Sequence, residues 1–76
     1  MRLRDLAVGQ QAVVAGYRST DPTYRGRLLA MGLTRGTVLT VVKVAPLGDP
    51  IEVRVRGYGL SLRKAEADAL FVEAVG

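Results

Sequence analysis

Histidine and cysteine are both absent from the chain, and this narrows the chemistry open to it more than any residue present. Imidazole is the commonest general acid or base near neutral pH and the commonest transition-metal ligand, and thiolate is the usual alternative for tight metal capture. A metal site built from these groups is excluded. An oxygen-only site would need clustered carboxylates, whereas Asp5, Asp21, Asp49, Glu52, Glu66, Asp68 and Glu73 are scattered, with no calcium-loop spacing. Ser19 and Ser61 have no histidine to activate them as nucleophiles. Gly57-Tyr58-Gly59 lacks the third glycine and the following long helix of a phosphate loop, so it reads as a hairpin turn. These residue types specify no catalytic residue, no metal ligand and no cofactor; they point to a protein that is not an enzyme and acts by binding another macromolecule.

Charge says something about that partner. Eleven basic residues against seven acidic ones give a formal net charge of +4, which favours anionic surfaces through long-range attraction. Lys43, Arg54, Arg56 and Arg63 are expected on strands, sharing one outer face as a basic patch or serving simply to protect a sheet edge. Aromatic residues make up only 5% of the chain and do not cluster on that patch, so stacking on single-stranded nucleic acid is not expected. No apolar run approaches the ~20 residues of a membrane span, and Arg2 and Arg4 are not followed by the apolar core of a signal peptide. A cysteine-free composition suits a reducing cytoplasm. The expectation is a cytoplasmic protein that does not itself span the membrane.

The elements that must position these groups follow from the spacing of apolar residues. With 76 residues and 49% apolar content the chain supports one core, hence one domain over 1–76. Leu3, Leu6 and Val8 before Gly9 suggest a short turn feeding a strand from Gln11 to Arg18. Ser19-Thr20-Asp21-Pro22 signals the start of a helix, because small oxygen-bearing side chains cap free amides and proline fits the first turn. That helix is predicted over Pro22 to Met31, with Gly32 as its stop and Gly26 weakening its middle. Val38 to Ala45 is a long β-branched strand interrupted only by Lys43, and Pro46 to Pro50 is a rigid turn. Ile51, Val53 and Val55 alternate with Glu52, Arg54 and Arg56; Leu60 and Leu62 continue the alternation beyond the hairpin. A helical turn over Lys64 to Ala69 and a strand from Leu70 to Val75 complete the chain. The fold class is mostly β: a small SH3-like barrel with one inserted helix and a short helical turn.

The helix carries the candidate site. Tyr24, Leu28 and Met31 fall on one helical stripe, the usual mark of a core-facing surface, while Leu29 lies one position off it beside Arg25. A short helix with Leu28 and Leu29 flanked by Arg25 and Arg27 also has the composition of a docking surface, apolar anchors within an arginine rim. The expected partner-binding set is Arg25, Arg27, Leu28, Leu29 and Met31.

The order of motifs resembles the ferrous iron transport protein A (FeoA) family over about Leu6 to Val75. The carrying pieces are Tyr24-Arg25-Gly26-Arg27-Leu28-Leu29-Ala30-Met31-Gly32-Leu33 followed by Gly36, then Val44-Ala45-Pro46-Leu47-Gly48-Asp49-Pro50-Ile51-Glu52-Val53, then Tyr58-Gly59-Leu60-Ser61-Leu62-Arg63-Lys64-Ala65-Glu66-Ala67. Gly26 departs from the stronger helix former more often found in the family. The resemblance implies an SH3-like barrel and an accessory or regulatory role in bacterial ferrous iron uptake. The implied partner is the membrane permease with a GTP-binding domain, ferrous iron transport protein B, met on its cytoplasmic side at the inner face of the plasma membrane. It leaves homo-oligomerisation open. Two alternatives stand beside this expectation: stimulation of the permease's GTP hydrolysis by Arg25 or Arg27, and a nucleic-acid-binding small barrel.

Overall fold

The computed structural model describes residues 1–18 and 22–75. Five strands, β1 (Gln11–Tyr17), β2 (Val38–Val44), β3 (Ile51–Val55), β4 (Tyr58–Leu62) and β5 (Leu70–Ala74), form one antiparallel sheet in the order β4-β3-β2-β1-β5. Helix α1 (Pro22–Ala30) is inserted between β1 and β2, helix α2 (Lys64–Asp68) follows β4, and a 3-10 turn covers Leu3–Asp5. The element types agree with those read from the sequence, with ends differing by about one residue. The capping signal at Ser19-Thr20-Asp21 lies outside the described residues.

Alternation puts the core where period-2 geometry requires. Ile51, Val53 and Val55 of β3 are buried while Glu52 and Arg54 are exposed; Ala12, Val14, Leu39, Val41, Leu62, Leu70 and Val72 line the same interior. Leu3 and Leu6 close one end of this core. Full burial of each such leucine contributes about 1.5–3 kcal/mol relative to exposure. Local caps hold the end pieces. Asp5 Oδ2 accepts from the Arg2 amide at 3.0 Å, and Glu66 Oε1 accepts from the Arg63 amide at 3.0 Å at the start of α2.

Two features differ from a simple strand reading. In β2, alternation from Leu39 and Val41 would send Lys43 into the core. Between Val41 and Lys43 the register against β3 shifts, and the extra residue, Val42, lets Lys43 oppose Glu52 on the outside. The barrel also does not close by pairing its end strands: β4 and β5 are the two ends of the ladder, and α2 packs against both of them. The edge of β5 is covered in addition by the N-terminus, whose Met1 carbonyl accepts from the Val72 amide at 2.9 Å.

Gly26 lies exposed within α1, and a Cβ built there meets nothing within 4 Å. Gly26→Ala is therefore expected to stabilise the protein by about 1 kcal/mol through helix propensity, raising Tm by about 4–8 °C for a domain of this size. Thermal unfolding followed by circular dichroism checks this.

Candidate functional site

Helix α1 has nine residues, a central glycine and a weak apolar stripe. Isolated helices shorter than about 12–15 residues are marginal in water, so tertiary contacts must hold this one. Its apolar anchor is Leu28, 0% exposed in the same core as Leu33. Tyr24 and Met31 pack against that core while staying partly exposed. At its C-terminus the amide of Leu33 donates to Leu28 O at 2.9 Å and that of Gly32 donates to Leu29 O at 3.0 Å, a Schellman pair with Gly32 at φ 86°.

The carbonyls beyond the helix are taken by side chains from the barrel. Tyr58 Oη donates to Met31 O at 2.7 Å and Tyr17 Oη donates to Leu33 O at 2.6 Å. Arg56 Nη1 lies 3.5 Å from Gly32 O, and its Nη2 donates to the buried Thr37 Oγ1 at 3.2 Å. The close approach dictates glycine at position 32: an added Cβ there would sit 2.6 Å from Tyr58 Oη. Arg56 occupies the first position of a two-residue turn with Gly57, at φ 51° and 85°. That turn type favours Asn or Gly, and the guanidinium contacts offset the cost of an arginine in the left-handed region.

With its inner side and C-terminus fixed, α1 presents Arg25, Arg27 and Leu29 outward. Leu29 is 44% exposed. Both arginines are held in place: Arg25 Cζ lies 5.5 Å from the Tyr17 ring centre and Arg27 Cζ lies 5.9 Å from that of Tyr24. Arg27 Nη1 also lies 3.8 Å from Glu66 Oε2, linking α1 to α2. The five residues expected as a docking set thus divide. Arg25, Arg27 and Leu29 are exposed and Met31 is partly buried, with Arg25 and Arg27 turned to different sides of the helix, whereas Leu28 is a core residue, because the stripe it shares with Tyr24 is the one the barrel covers.

The basic patch expected from Lys43, Arg54, Arg56 and Arg63 does not assemble. Lys43 and Arg54 share the outer face of β2 and β3, with Glu52 opposite Lys43. Arg56 is in the turn, directed to the end of α1, and Arg63 precedes α2 rather than lying on a strand. The hairpin turn is Arg56-Gly57, with Tyr58 and Gly59 already in β4. Among the described residues no group of three or more Asp or Glu gathers where a metal ion could be held. None of the helices there is long and apolar enough to cross a membrane. Tyr17, Arg56 and Tyr58 were not legible as the residues that set the helix. Their partners lie 16 to 27 positions away, and the only local sign is an arginine where a tight hairpin favours Asn or Gly.

Residues 1–74 match the FeoA domain. The chain belongs to the FeoA family. A relative in Porphyromonas gingivalis, an Fe(2+) transport protein A/Fe(2+) transporter FeoB fusion protein, is 40% identical over 75 residues; the match covers 99% of this chain and 9% of that relative. The solution structure of FeoA from Chlorobium tepidum superposes with a TM-score of 0.88 at 41% identity, over 100% of this chain and 71% of that one. Stenotrophomonas maltophilia FeoA, a prokaryotic SH3 domain protein, gives 0.81 at 28% identity, covering 96% and 89%. The SH3-like barrel expected from the sequence is the fold of this FeoA domain, and the family links it to ferrous iron transport.

Gly32→Ala is expected to cost this FeoA domain about 2 kcal/mol or more, since it combines left-handed strain with displacement of the Tyr58 hydroxyl. Tyr58→Phe, which removes one hydrogen bond and leaves the ring, is expected to cost about 1 kcal/mol. Urea unfolding of both variants tests the order of these effects; equal stability of Gly32→Ala and wild type would remove the close approach from the account.

Proposed function

We propose that this chain is a small cytoplasmic accessory subunit of bacterial ferrous iron uptake that binds the GTP-binding permease, FeoB, on its cytoplasmic side through Arg25, Arg27 and Leu29 of α1 and the adjoining Met31. The observation that carries this reading is the fusion relative, in which an FeoA segment and an FeoB transporter are one polypeptide. Joining two modules on one chain raises their effective concentration to about millimolar, the arrangement expected when the two act together. The helix face supports the choice of surface. An exposed leucine on the same short helix as two arginines has the apolar-anchor and polar-rim composition of an interface, and packing of both arginines on tyrosine rings lowers the entropy lost when they bind. The same packing favours docking over a mobile arginine reaching into a GTP-hydrolysis site.

Co-purification of the tagged chain with detergent-solubilised FeoB from the same organism tests this. Wild type is expected to be retained, and Leu29→Gln combined with Arg27→Gln to weaken retention by about tenfold or more while the protein stays folded. Leu28→Gln is expected to lose the fold itself, by about 2–5 kcal/mol, and so reports on the core rather than the interface. Retention unaffected by the double substitution would remove α1 as the docking face. No retention of wild type, together with ferrous uptake that does not depend on the chain, would remove the partner.

A further inference from the structure

The two edges of the sheet are unequal. The edge of β5 is covered by the Met1 carbonyl, but among the described residues β4 carries no such cover along its middle. The two-residue turn at Arg56-Gly57 makes Val55–Tyr58, Val53–Leu60 and Ile51–Leu62 the hydrogen-bonded pairs with β3. The backbone N–H and C=O groups of Gly59 and Ser61 therefore point away from the sheet. Among the described residues nothing outside the strands bonds to them. This open stretch is bounded at one end by the Tyr58 bond to Met31 and at the other by α2.

The side-chain surroundings select what can pair there. On the outer face Gly59 lies directly opposite Arg54, and a Cβ built on Gly59 meets nothing within 4 Å. With no side chain between, the Arg54 guanidinium has a clear path across β4 to a strand added beyond it, about 9–10 Å from β3. The Arg54 side chain is exposed and makes no hydrogen bond or ion pair among the described residues. It overhangs a hollow of about 200 Å³ lined by Val42, Glu52, Gly57, Gly59 and Leu60. Arg56, Arg63 and Lys64 flank the same edge; of the acidic residues there, Glu66 is buried and bonded to the Arg63 amide, and Glu52, exposed on the outer face opposite Ser61, has Lys43 opposite it on its other side. Beside Gly59 an added strand thus meets net positive charge, and a second copy of this chain, itself at +4, is opposed by it.

We propose that the Gly59–Ser61 edge of β4 docks an extended acidic segment of a partner protein as a sixth strand, with a carboxylate opposite Gly59 meeting Arg54. Main-chain hydrogen bonds would supply affinity and the Arg54 pair would set register. This surface is separate from the outward face of α1 and does not rest on the docking proposed there.

Nuclear magnetic resonance on the full chain tests it, with acetyl-Thr-Val-Glu-Val-Thr-amide as the probe and the same peptide carrying Lys in place of Glu as control. The acidic peptide is expected to shift the Gly59 and Ser61 amides saturably and slow their hydrogen exchange by about tenfold at saturation, and the lysine peptide to bind about tenfold more weakly. Ser61→Pro removes one outward donor without touching the ladder to β3, so it is expected to abolish the response while the protein stays folded. Arg54→Glu is expected to reverse the preference between peptides. Absence of any response at β4, equal response to both peptides, or shifts confined to α1 would overturn the proposal. So would Gly59 and Ser61 amides already protected in a concentration-dependent dimer, which would assign the edge to a second copy.

Discussion

The carbonyl groups of Met31, Gly32 and Leu33 must find donors, and the structure depends on where those donors come from. These carbonyls follow the last turn of α1, where the helix itself offers no further amides. A helix that ended in water would leave them to solvent; here Tyr58, Arg56 and Tyr17 reach them from two separate parts of the barrel. The chain can then leave α1 in a fixed direction and place Leu33 in the core beside Leu28. The dependence runs one way. The sheet has its own alternating core, whereas α1, too short to persist alone, takes its position from the sheet.

That dependence determines the character of the outward face of α1. Arg25 rests on Tyr17, the residue whose hydroxyl also holds Leu33 O, and Arg27 spans from the Tyr24 ring to Glu66 of α2. Exposed ion pairs and cation–π contacts of this kind each contribute about 1 kcal/mol or less to stability. Their larger effect is on order. Side chains that would otherwise sample many rotamers are confined, which would lower the cost of the proposed association more than it strengthens the fold.

The strands and the helix stop were legible because each rests on local rules. Period-2 alternation in Ile51–Val55 puts the right residues inside, and Gly32 takes the left-handed conformation that its place after the helix requires. The bulge at Val42 was not legible, since nothing local distinguishes it from a regular strand residue; only the need to keep Lys43 in water, felt once β3 is alongside, forces it. Arg56 is the sharper case. Its alternation with Val55 reads as one more exposed strand position, but it lies in the turn, and its guanidinium is committed to Gly32 O and Thr37. The ambiguity over Leu28 was of a different kind. A helix with apolar residues at 28 and 29 must bury one and expose the other, and the direction of the barrel, not the helix sequence, decides that Leu28 goes in.

A chain without imidazole or thiol can still be selective, through where its backbone and charges are left unpaired. Strand closure by α2 instead of a β4–β5 ladder covers the sheet at one point and leaves Gly59 and Ser61 uncovered nearby. Full closure would have removed that edge and the chemistry it offers. Leu47, 95% exposed at the tip of the loop between β2 and β3, shows the same economy: the loop backbone is tied internally by the amide of Gly48 donating to Ala45 O at 2.7 Å, so its tip needs no burial to hold its shape. The core of this domain is thus filled by its own side chains, and the surfaces proposed for recognition are those parts of the fold whose removal from water would cost the core nothing.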